Sequence, residues 1–170
     1  MSDSPLSELL DVDSRRALEF FVMGLRDVAE GPLDAQELFY NASVLAHYTQ
    51  VSTSSERDVP APADLTDVFD NFVADSALLH DAALMETAAA QCLLLAGFFE
   101  AQMRRRHSIR WYAHLGTGFF LRAASEERSR AKARLLDTLA HRFEPWRRLH
   151  ARLAVELRAQ RYVLRPPHSG

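Results

Sequence analysis

The chain has 170 residues, 48% of them hydrophobic, and a formal net charge of −3. This length supports one substantial core, so we predict a single domain over residues 1–165 with a short flexible tail at 166–170. The acidic amino terminus lacks the basic flank and apolar run of a secretory signal. The longest apolar stretch, 88–99, is shorter than the roughly 20 residues that span a bilayer. We therefore expect a cytoplasmic protein without membrane insertion, in which the single cysteine, Cys92, is a core residue.

Charge is distributed unevenly along the sequence. Residues 1–103, the acidic part, contain 18 Asp and Glu against 4 Arg, whereas residues 104–170, the basic part, contain 5 Asp and Glu against 16 Lys and Arg. The two parts carry about −14 and +11. Such charge must be paired inside the fold or presented to a partner, so we expect the parts to complement each other within one subunit or across a symmetric dimer. The basic residues are 19 Arg and one Lys, a bias typical of GC-rich bacterial genomes.

Apolar residues recur at three- and four-residue spacing along the chain, and no strand pattern competes with them. The sequence therefore predicts an all-α fold, a single bundle of six to seven helices. The predicted helices cover about 13–29, 34–49, 64–80, 81–106, 109–124, 126–143 and the segment from 146 onward. The predicted loops lie near 31–33, 50–63, 107–108 and 144–145.

The helix predicted at about 81–106 is apolar on nearly every side, which places it at the centre of the bundle. Gly97 lies within it and costs roughly 1 kcal/mol relative to Ala in a helix interior, so we predict a close helix contact or a slight bend there. Pro145 is expected to kink the chain or to start a new helix.

No catalytic signature is present, and we assign neither catalytic residues nor a cofactor. The best candidate for a ligand pocket is the aromatic helix around Gly116, where small residues alternate with polar side chains. The alternative is tight packing, in which glycine lets a neighbouring helix approach. The candidate ligand-binding residues are Trp111, Tyr112, His114 and Thr117.

The spacing of Asp137, His141 and Glu144 puts a carboxylate, an imidazole and a second carboxylate on one helical face, as a metal site would require. The competing interpretation is a solvated face with local ion pairs, and we assign no metal. The remaining histidines, His150 among them, are expected at helix ends or on the surface.

Arginines concentrated after residue 103 form a candidate surface for a protein partner or an anion: Arg104, Arg105, Arg106, Arg147, Arg148, Arg152 and Arg158. The leading hypothesis is a non-catalytic interaction or scaffolding module that self-associates as a homo-oligomer through its acidic and basic parts. One alternative is a small-molecule-binding protein or enzyme with a pocket near Trp111, His114 and Gly116. Another is nucleic-acid binding through the last two helices, although a pI near 6.2 and interspersed carboxylates oppose it.

Overall fold

The computed structural model describes the backbone over residues 5–54, 81–104 and 108–164, and side chains over 15–49, 81–104 and 108–159. The described residues form seven α-helices and one π-helical segment without a strand, packed as a single bundle, which confirms the predicted all-α fold. The elements are α1 (Pro5–Val28), α2 (Ala35–Ser54), α3 (Ala82–Leu93), the π-helical segment (Leu94–Phe98), α4 (Glu100–Met103), α5 (Ile109–Glu126), α6 (Arg130–His141) and α7 (Phe143–Leu164). The predicted helix at 64–80, the predicted loop from residue 55 onward and the predicted tail lie outside the described residues. Residues 50–54, which were also predicted as loop, are helical and form the end of α2.

Short polar side chains begin four of the helices, because each accepts a backbone N–H that has no partner within the helix. Asp34 accepts the amide of Glu37 at 3.0 Å, in the predicted capping position of α2. Asp81, Ser108 and Ser129 accept the equivalent amides at the starts of α3, α5 and α6. The local sequence therefore specifies where these helices begin.

Helix α7 begins earlier than the sequence predicted. The chain turns at Arg142, and α7 starts at Phe143, so residues 144–145 are helical and form no loop. Pro145 lies in the first turn, where a missing N–H removes no helical hydrogen bond. Helix α1 likewise starts at Pro5, eight residues before the predicted position.

The core is centred on α3 and the π-helical segment, as the near-apolar pattern of this stretch predicted. Helix α3 packs along α5, α5 forms a helical hairpin with α6, and α7 packs against the π-helical segment. Helix α1 packs against α2 and α7. The fully buried residues of the central stretch are Met85, Ala88, Ala89, Cys92, Leu95 and Ala96. Within the described residues, no helix combines the length and apolarity needed to cross a membrane.

The π-helical segment interrupts the helix expected at 81–106. The amide of Phe99 donates to the carbonyl of Leu94, five residues back, at 2.9 Å. A Cβ built on Gly97 would lie 2.8 Å from the Cβ of His150 and 2.9 Å from the carbonyl oxygen of Arg147. Gly97 is thus the close helix contact that the sequence predicted, and the wider π turn occurs where α7 crosses this stretch.

A buried row of polar side chains joins α2 to α7. Trp146 Nε1 donates to Glu37 Oε1 at 3.0 Å, and one turn further His150 Nε2 bonds Asn41 Oδ1 at 2.8 Å. Both pairs are 109 residues apart in sequence, so the two helices run parallel in constant register. Glu37 also accepts Arg142 Nε at 2.8 Å. We call these five residues the polar seam.

Candidate partner-binding groove

An open groove of about 930 Å³ lies between α1 and α7. Gly24 lets the two helices approach at its floor, since a Cβ there would lie 2.9 Å from Leu153 Cδ1. The walls carry large apolar side chains that remain in water: Phe20 is 51% exposed, Met23 62% and Val155 61%. Single exposed apolar residues are ordinary, but a cluster that lines one groove is typical of an interaction site. We call this feature the α1–α7 groove.

The basic side chains of the groove are already paired within the subunit. Arg152 Nη2 lies 2.7 Å from Glu30 Oε1, and Arg148 Nε lies 3.2 Å from Glu144 Oε1. The hydrogen bond from Arg152 lowers the pKa of Glu30. Two other carboxylates of the groove, Asp27 and Glu156, have no ion-pair partner among the described residues.

Of the five arginines of the candidate surface that the structure describes, four are paired with neighbouring carboxylates. Arg147 is nearly buried and donates to Glu144, to Glu100 at 3.1 Å and to the carbonyl of Ala96 at 3.1 Å. The hydrogen bond from Arg147 is the main reason that the pKa of Glu144 is lowered. Arg104 also pairs with Glu100, at 2.9 Å.

The fifth, Arg158, forms no ion pair with a carboxylate among the described residues. Arg158 Nε donates to the carbonyl of Ala154, one turn back on its own helix, at 3.3 Å. Arg105 and Arg106 lie outside the described residues.

The acidic and basic parts of the sequence meet inside one subunit. Five ion pairs among the described residues join them: Glu30–Arg152, Glu37–Arg142, Glu86–Lys132, Glu100–Arg104 and Glu100–Arg147. The Glu37 and Arg147 side chains are 6% and 10% exposed, so these pairs are less screened than surface pairs. Part of the charge asymmetry is therefore paired within the subunit.

The predicted ligand-pocket residues do not converge on one space. Tyr112 is buried, whereas Trp111 is 47% exposed and His114 is exposed. The Thr117 hydroxyl donates to the carbonyl of Ala113 on its own helix at 2.9 Å.

Gly116 lies in packed core. A Cβ there would lie 2.5 Å from the Phe143 ring and 2.8 Å from Cys92 Cβ. The tight-packing alternative thus describes this position. Burial raises the pKa of Cys92 well above its ordinary value, so its thiol stays protonated.

The predicted metal candidates are held by other partners. Asp137 and His141 are exposed and lie 3.6 Å apart, and His141 Nδ1 is 2.8 Å from the carbonyl oxygen of Asp137. Glu144 instead pairs with two arginines. Within the described part of the chain, no three His, Cys, Asp or Glu side chains group closely enough to hold a metal ion.

The expectation that His150 lies on the surface is wrong. It is fully buried, and desolvation lowers its pKa to about 3. Because Asn41 offers an amide oxygen, the Nε2 of the neutral ring carries the proton, which leaves Nδ1 without a hydrogen-bond partner. Trp146 and His150 are four residues apart on the apolar stripe of α7, and that spacing was the available signal for a buried histidine.

No protein-family model matches this chain, and no curated protein or solved structure shows significant similarity to it.

Proposed function

We propose that this chain is a cytoplasmic protein–protein interaction module whose binding surface is the α1–α7 groove. The observation that carries the proposal is the exposure of Phe20, Met23 and Val155 on opposite walls of one groove. Fully burying such a side chain stabilises a complex by roughly 1.5–3 kcal/mol, so covering the exposed fraction of each contributes about 1 kcal/mol. Central apolar anchors of this kind commonly dominate the energy of an interface.

The shape of the groove favours a helical partner. Two packed helices form its walls, and a third helix can place apolar residues of one face between them. Charged residues at its edge, among them Arg148 and Glu156, would then border a buried apolar centre. Pairing of Arg147, Arg148 and Arg152 within the subunit leaves them less available to phosphates, which favours this function over nucleic-acid binding.

A photo-cross-linking amino acid placed at Met23 in the full chain tests the proposal in cells of the organism that encodes it. We expect a protein adduct of defined mass at Met23 that disappears when Phe20→Glu is added. Phe39 provides the matched control, because it is 57% exposed on α2 and does not line the groove. An adduct yield at Met23 no higher than at Phe39, or one that Phe20→Glu leaves unchanged, would refute a partner in this groove.

A further inference from the structure

The outward face of α1 carries a stripe of four residues at the spacing of a helix–helix seam. Arg16, Phe20, Met23 and Asp27 are separated by four, three and four residues, which places them along one side of the helix. All four are exposed, and neither Arg16 nor Asp27 forms an ion pair with any residue that the structure describes. Residues at this spacing normally pack against a neighbouring helix, so their exposure to water indicates a site for a helix of another molecule.

The stripe is complementary to itself when its direction is reversed. Its midpoint falls between Phe21 and Val22, with Phe20 and Met23 at equal distances on either side. Arg16 and Asp27 also lie at equal distances from this midpoint and carry opposite charges. In an antiparallel pair of two α1 helices centred there, each Phe20 faces Met23 of the other copy and each Arg16 faces Asp27.

We propose that a second copy of this chain occupies the α1–α7 groove, with its α1 packed antiparallel to the first α1 about a two-fold axis at this midpoint. The inference rests on the proposed function and identifies its partner. A two-fold interface requires one surface to complement itself, and the arrangement of apolar and charged residues on α1 meets that condition. Val155 on the other wall of the groove would be covered by the same helix.

A flanking pair of charges supports the same arrangement. Glu19 and Arg26 lie seven residues apart on one edge of the stripe, and both are exposed without an ion-pair partner among the described residues. In the antiparallel pair, Glu19 of one copy and Arg26 of the other are offset along the helix axis by about two residues, or roughly 3 Å. Long side chains span that offset, so the two symmetry-related Glu19–Arg26 pairs join opposite charges along this edge of the interface.

The charges that join the two copies therefore differ from those that the sequence suggested. Self-association was predicted to bring the acidic part of one subunit against the basic part of another. The ion pairs between those parts are formed within one subunit, whereas the proposed interface uses opposite charges within α1 alone.

Sedimentation equilibrium of the purified full chain is the first test. We expect a reversible monomer–dimer equilibrium, weakened at least tenfold by Phe20→Glu or by Met23→Glu, because each change places carboxylates in the apolar centre. Phe39→Glu removes an equally exposed aromatic residue from α2 and should leave the equilibrium unchanged. Circular dichroism of each variant, with the helix content of the parent, confirms that the fold is retained.

A charge exchange tests the antiparallel register. Arg16→Asp places like charges opposite Asp27, and Asp27→Arg places like charges opposite Arg16, so each variant alone should associate about tenfold more weakly. A mixture of the two variants restores opposite charges at both ends of the pair. We expect mixed dimers to form with at least the parental affinity. If the affinity of the mixture exceeds that of the single variants by threefold or less, the proposed register is wrong.

Several results would overturn the inference while leaving the proposed function intact. A chain that stays monomeric at its highest soluble concentration has no self-interface. A dimer insensitive to both Phe20→Glu and Met23→Glu uses another surface. If Met23 still cross-links specifically to a protein of different mass, the groove binds another partner and only the self-association is wrong.

Discussion

The buried His150 should make the stability of this protein fall as the pH falls from 7 to 5. Its pKa is about 3 in the folded chain and 6.5 for an ordinary histidine, so the unfolded state binds a proton in this interval and the folded state does not. Stability rises with pH wherever the unfolded state binds more protons. The contribution of His150 is therefore fully present above pH 6.5 and is lost progressively as the pH falls towards 3.

The expected loss follows from the two pKa values. At pH 5 the unfolded histidine is almost fully protonated, whereas the folded one remains neutral, and the difference relative to pH 7 is about 2 kcal/mol. Ion pairing lowers the pKa values of Glu30 and Glu144, so the stability they contribute is lost as the pH falls below the ordinary carboxyl value of 4.5. Their effect is thus largely separated from that of His150.

Urea unfolding followed by far-ultraviolet circular dichroism at pH 5, 6 and 7 measures this loss. His150→Gln retains an N–H that can donate to Asn41 but cannot titrate, so its loss of stability between pH 7 and pH 5 should be about 2 kcal/mol smaller than that of the parent. His141→Gln is the control, because that side chain is 69% exposed, and it should behave like the parent. Equal losses in the parent and in His150→Gln would refute the reasoning.

Two further predictions concern packing and the polar seam. Gly97→Ala should lower the free energy of unfolding by about 1–3 kcal/mol, because the new Cβ would lie 2.8 Å from His150 and 2.9 Å from the backbone of Arg147. In Gly118→Ala the new Cβ meets nothing within 4 Å, so this change should instead raise the free energy of unfolding by up to about 1 kcal/mol. Urea unfolding in which both variants change the free energy of unfolding in the same direction would contradict this explanation. Asn41→Ala should lower the free energy of unfolding by about 1–3 kcal/mol, because it leaves the His150 N–H buried without an acceptor. A decrease below about 0.5 kcal/mol in the same assay would show that the bond contributes little.

The sequence predicted the helices well because their signals are local. Apolar spacing identified the helical segments, and Asp34 lies at the predicted capping position with a 3.0 Å bond to the amide of Glu37. The burial of the central stretch followed from its lack of a polar face. Gly97 was predicted as a close contact because glycine has a cost in a helix that packing must offset.

Features that depend on distant residues were not predicted. Glu37 has the spacing of a capping box, but its carboxylate accepts Trp146 and Arg142 instead, and nothing near Glu37 in the sequence indicates those partners. Charge counts likewise could not determine whether the acidic and basic parts pair within a subunit. The exposure of Phe20 and Met23 was not predicted either, whereas the four-residue spacing of Phe21 and Leu25 does indicate the face of α1 that is buried in the core.

The polar seam also has a consequence for the order in which the chain acquires its structure during synthesis. Glu37 and Asn41 bond Trp146 and His150, 109 residues later in the sequence, so these bonds cannot form until the first turns of α7 have left the ribosome. Helices α1 and α2 can pair with each other before that moment, but the face of α2 that receives Trp146 and His150 stays open to water. We therefore expect nascent chains shorter than about 150 residues to remain protease-sensitive, and the release of α7 to complete the fold in one late step.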